Sequence, residues 1–80
     1  MNIDTETLAE LLNNYEGAFN ALNKSLDENS SSSNYILCGH YTQNFLNTIN
    51  KLDIDESNKS MARIIRMMKY LNNTCNVLSK

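Results

Sequence analysis

Eighty residues with a net charge of -2 and a pI near 5.2 are one small domain at most, with no global electrostatic attraction to nucleic acid. A chain of this size buries only about 60% of its unfolded surface, which leaves little room for a deep pocket and favours gaining burial against another copy or a partner. No apolar run exceeds four residues, so no bilayer span is predicted, and the polar, acidic "MNIDTETLAE" start is unlike a signal peptide. The expected location is the cytoplasm.

Proline is absent, glycine occurs only at Gly17 and Gly39, and apolar residues recur at intervals of three and four, which predicts an all-helical chain. In the first segment Leu8, Leu12, Tyr15, Phe19, Leu22 and Leu26 form one stripe, widened by Leu11 and Ala18, over a helix from about 4 to 28. Asp4 suits the N-cap, and Ile3 before it can staple onto Leu8. The serine-rich "DENSSSSN" has no apolar residue to bury and predicts a loop over 27–34, with Ser33 or Asn34 capping the next helix.

That second helix, from about 34 to 52, carries Cys38, Tyr41, Phe45, Ile49 and Leu52, with Leu37 and Leu46 alongside. Asp53, Asp55 and Glu56 then precede a third helix over about 56–78, where negative charge suits the positive end of the helix dipole. Its apolar face reads Met61, Ile64, Met68, Leu71, Cys75 and Leu78, with Ile65 beside it. The predicted fold is all-α: a three-helix antiparallel bundle, or a helical hairpin completed by oligomerisation or a partner.

The stretch "NYEGAFNALNKSLDEN", Asn14 to Asn29, resembles the second helix of a tetratricopeptide repeat, with Tyr15, Ala18, Leu22 and Leu26 near that motif's tyrosine, alanine and apolar positions. The following "YILCGHY" loosely resembles the next repeat's first helix, with Gly39 near its small residue. No proline closes the repeat and no second copy follows Thr42. The resemblance implies a peptide- or protein-binding scaffold.

Catalytic, cofactor and metal chemistry find no foothold. Cys38 and His40 are two residues apart on one helix and point about 200° apart, so they do not share an ion. Cys38 lies on an apolar stripe, where burial makes a thiol inert, and no second histidine exists to serve as a base. Cys38 and Cys75 are read as reduced thiols. An antiparallel helix pair would set them at similar levels, where an oxidising environment could join them. The Asp53–Glu56 cluster lacks the glycine and ligand spacing of an EF-hand loop.

One surface pattern points outward to a partner. Lys59, Arg63, Arg66 and Tyr70 step by 4, 3, 4 beside the third helix's apolar face, and Val77 extends the strip. Ordinary solvated surface would look similar, with Asp55 and Glu56 supporting Lys59. As a contact strip it suits an acidic protein surface, since Arg and Tyr are enriched where interfaces carry energy. Met67, at the edge of the buried stripe, is expected to be exposed and adaptable. The expected role is a non-enzymatic adaptor, chaperone or assembly factor binding another protein through Lys59, Arg63, Arg66, Met67 and Tyr70. Alternatives are a phage- or plasmid-type inhibitor, a nucleic-acid regulator with the third helix outward, and a self-associating structural bundle. Gly17 and Gly39, each costing about 1 kcal/mol in a helix, are expected to mark close helix approach.

Overall fold

The computed structural model describes residues 4–27, 32–52 and 59–79. Three helices account for nearly all of them: α1 (Thr5–Asp27), α2 (Ser32–Lys51) and α3 (Lys59–Leu78). No strand occurs among the described residues. The start of α1 is the predicted cap. The Thr7 backbone N–H donates to Asp4 Oδ1 at 2.7 Å, and this bond holds the Asp4 carboxyl below its ordinary pKa. The Ile3 staple, the loop residues 28–31 and the acidic cluster at 53–56 lie outside the described residues.

α2 begins at Ser32, inside the span 27–34 predicted as loop. Serine side chains compete with the backbone in a helix interior but suit its first turn, where the N–H groups have no intrahelical acceptor. Ser33 and Asn34 therefore stand within the first turn rather than at the cap.

α2 is the central element and runs antiparallel to both neighbours. Early α1 meets late α2 where the Thr48 hydroxyl donates to Glu10 Oε1 at 3.2 Å, and Gly17 lies against the Tyr41 ring. Late α3 meets early α2 where the Asn72 amide donates to the Gly39 carbonyl and the Thr42 hydroxyl. The chain thus forms three packed helices, up-down-up, and not a two-helix hairpin. α1 and α3 run parallel on either side of α2, and no Cα of one comes within 8 Å of the other.

The buried face of α1 departs from the predicted one. Leu11, Asn14, Ala18, Ala21 and Ser25 are buried, whereas Leu8, Leu12 and Leu26 are 46%, 55% and 70% exposed. Small side chains let α1 approach α2 closely, and that rotates the row of large leucines outward onto the flank. Tyr15, Phe19 and Leu22 of the same row still pack partly on the core, Tyr15 against Phe19 with ring centroids 4.9 Å apart.

Both glycines mark close contacts within the chain. A Cβ on Gly17 would lie 2.6 Å from the Tyr41 ring, so the neighbour is an aromatic side chain and not a crossing backbone. A Cβ on Gly39 would lie 3.2 Å from Asn76 Oδ1 and 3.9 Å from Cys75 Cβ, across the α2–α3 seam.

That seam holds the four largest fully buried side chains, Met68, Thr42, Cys38 and Cys75. Cys38, Met68 and Cys75 have no solvent exposure. Thr42 Oγ1 bonds back to the Cys38 and Gly39 carbonyls at 3.1 and 3.0 Å and accepts from Asn72 Nδ2 at 2.9 Å. Leu78, assigned by its spacing to the same buried stripe, is 48% exposed at the last residue of α3.

Candidate functional site

The flank rows of α1 and α3 face each other across α2 without closing on each other. At the end where both helices begin, this leaves an open cleft of about 190 Å³. Leu8, Leu11, Leu12 and Tyr15 of α1 form one wall, Met61 and Ile64 of α3 the other, and Phe45 of α2 the floor. Every lining residue is apolar or aromatic. Burying a half-exposed leucine there would add on the order of 1 kcal/mol, taking about 1.5–3 kcal/mol for the whole side chain.

Beside the cleft stands the outward face of α3. Lys59, Arg63 and Arg66 are exposed, as are Met67 at 39% and Tyr70 at 74%. Lys59, Arg63, Arg66 and Tyr70 share one strip. Met67 stands three residues on from Ile64 and so joins that strip to the cleft wall. α3 contains no acidic residue, and Lys59, Arg63 and Arg66 form no ion pair with any described residue. The support expected for Lys59 from Asp55 and Glu56 falls outside the described residues. Farther along the helix Tyr70, Val77 and Leu78 edge a shallow hollow with Asn73 and Thr74.

The half-exposed Leu8 and Leu12 are the site residues that spacing missed, because their stripe is also what a core stripe looks like. A signal was present in the neighbouring row Leu11, Asn14, Ala18, Ala21 and Ser25, which has the same 3, 4, 3, 4 period with smaller members.

The cysteines and the histidine do not converge. Cys38 is fully buried while His40 is exposed, beside a separate cleft shared with Asn72 and Asn76. Cys38 and Cys75 are neighbouring free thiols, and burial, reinforced by the hydrogen bond and charge of Cys75, pushes Cys38 up to about 12. Such a thiol is protonated at neutral pH and unreactive. Among the described residues no three His, Cys, Asp or Glu side chains are placed to hold a metal ion, and no helix is long and apolar enough to cross a membrane.

The fold and site together define, among the described residues, an all-α three-helix domain with an apolar cleft beside a cationic helix face. No protein family, curated protein or solved structure matches the chain, so the tetratricopeptide resemblance of Asn14–Asn29 finds no counterpart there.

Proposed function

We propose that this protein works without catalytic chemistry, as a small helical adaptor, chaperone or assembly factor that presents helix faces to another protein. The observation that carries this reading is the juxtaposition of a cleft lined wholly by apolar side chains with a helix face bearing Lys59, Arg63 and Arg66 and no acid. An apolar centre rimmed by Arg and Tyr is the composition of a protein-binding patch. Met67 and Met61, flexible and polarizable, let the α3 wall adapt to what it meets. A stoichiometric inhibitor of a host protein would use the same surface. The cytoplasm suits the reading, since Cys38 and Cys75 stay reduced there.

The test is capture. The full chain, immobilised and exposed to lysate of the producing cell, retains a defined partner identified by mass spectrometry. Reversing Arg63 and Arg66 together to Glu lowers that capture at least tenfold with helicity unchanged, and capture that survives the reversal removes the strip from the reading. The same cations admit nucleic-acid binding as a second reading. It requires DNA affinity that falls steeply with salt, and absence of binding at low salt excludes it.

A further inference from the structure

We infer that the partner which covers the cleft side of this molecule is a second copy of the same chain, seated so that α1 of each copy lies on α3 of the other. This deepens the protein-binding reading and rests on it for the choice of surface. The first observation is charge. α1 carries Glu6, Glu10, Glu16 and Asp27 against Lys24 as its sole cation, whereas α3 carries Lys59, Arg63, Arg66 and Lys69 and no acid. Glu6 and Glu10 lie about 160° round the helix from the leucine row, and Glu10 accepts from Thr48 of α2, so the acid that stands beside Leu12 on the cleft side is Glu16, the complement offered to the cations of α3.

Two-fold pairing has few choices here. An axis across the helices sets α1 on α1 and α3 on α3, which turns Glu16 toward its own counterpart and sets cations against cations. An axis along the helices sets α1 on the other copy's α3 and pairs opposite charges twice, once for each copy. This second arrangement also matches apolar residues by level. α1 and α3 run parallel with Leu8–Tyr15 beside Met61 and Ile64 at one end, so an axis along them preserves height.

Leu12, 55% exposed, then meets the level of Arg63 and Met67; Glu16, one turn on, meets that of Arg66 and Tyr70; and Leu26, 70% exposed, meets Val77 and Leu78. The broadest face, 41 by 21 Å in outline, has to be covered nearly whole to reach the roughly 800 Å² per partner that a stable dimer needs.

The experiment is sedimentation equilibrium of the full chain from about 1 to 500 µM, with far-UV circular dichroism as the fold control. Wild type is expected to reach twice the monomer mass. Glu16→Arg alone, and Arg63→Glu with Arg66→Glu, each weaken the dimer at least tenfold while remaining helical. An equimolar mixture of the two variants regains the dimer mass, because each then offers the other an opposite charge at both contacts. A wild type that stays monomeric throughout, a dimer unmoved by either reversal, or a mixture that fails to reassociate overturns the inference. A monomer that still captures a foreign protein through Arg63 and Arg66 means the occupant is that protein, and the functional reading outlives this one. A dimer with the expected pairing that captures nothing leaves the inference standing and removes the adaptor.

Discussion

The α2–α3 seam and the α1–α3 cleft are both lined by side chains at helical spacing, yet one is closed and the other open. In the seam Met68, Cys38 and Cys75 are fully covered, and Asn72 ties α3 to α2 through the Gly39 carbonyl and Thr42. In the cleft Leu8 and Leu12 have larger apolar surfaces, but among the described residues no hydrogen bond joins α1 to α3 and the lining has no small residue. Closure thus follows how near two backbones can come and not how much apolar surface each carries. Gly39 across the seam and Ala18 and Ala21 between α1 and α2 make that approach possible. α1 and α3 face each other with leucines, tyrosine, isoleucine and methionine, which hold them apart.

The largest expected effect is at the seam's centre. Met68→Ala removes a fully buried side chain and is expected to cost about 2–5 kcal/mol, the range for large-to-alanine changes in a packed core. Calorimetric melting of the variant checks it. A loss below about 1 kcal/mol would mean that the seam can collapse around the void and is not the rigid half of the molecule. Next comes Asn72→Ala, which deletes both bonds across the seam and leaves the Gly39 carbonyl without its cross-helix donor. About 1–3 kcal/mol is expected in urea unfolding. Asn76→Ala, one turn on at an exposed position, should cost far less.

The α1–α2 contact predicts a coupled pair. Gly17→Ala should gain up to about 1 kcal/mol in helix propensity but drive a methyl into the Tyr41 ring at 2.6 Å, for a net loss of about 1–2 kcal/mol. In a Tyr41→Ala background the same change should become neutral or stabilising. An unchanged penalty there would show that the ring is not the obstacle.

A smaller effect appears only in alkali. The folded state holds the Cys38 proton up to about 12, while the unfolded thiol releases it near 9.0. Below 9.0 both states keep the proton and this group adds no pH dependence. Between 9.0 and about 12 the unfolded state binds fewer protons, so stability falls as pH rises. Urea midpoints at pH 8 and 10.5 should differ more for wild type than for Cys38→Ala, which removes this contribution.

How much of this was legible from the letters depends on which physical fact each position expresses. The three helices were readable because apolar spacing and the Asp4 cap act locally, and the α3 strip was readable because it depends only on where one helix points its side chains. The face of α1 was not. Its two rows lie about 100° apart with equal periodicity, and the row that packs contains Asn14 and Ser25, letters that read as surface. Gly17 and Gly39 did announce close contacts. Their neighbours, a tyrosine ring and an asparagine with a cysteine, come from other helices and no local pattern names them. The cleft was illegible for a related reason: it exists only through the separation of α1 from α3, a property of neither helix alone.

The smallest expected change tests the comparison most directly. Leu12→Ser alters a side chain that faces solvent by more than half, so a dilute monomer should lose no more than about 1 kcal/mol, against several at Met68. Under conditions where the cleft is covered, the same leucine becomes buried, and its replacement should then cost the full transfer energy of about 1.5–3 kcal/mol. The penalty of Leu12→Ser should therefore rise with protein concentration while that of Met68→Ala stays constant. Melting both variants and wild type at 5 and 300 µM reads the difference. If the Leu12 penalty is already large at 5 µM, the cleft is part of the folded monomer's core, and the contrast between a closed seam and an open one fails.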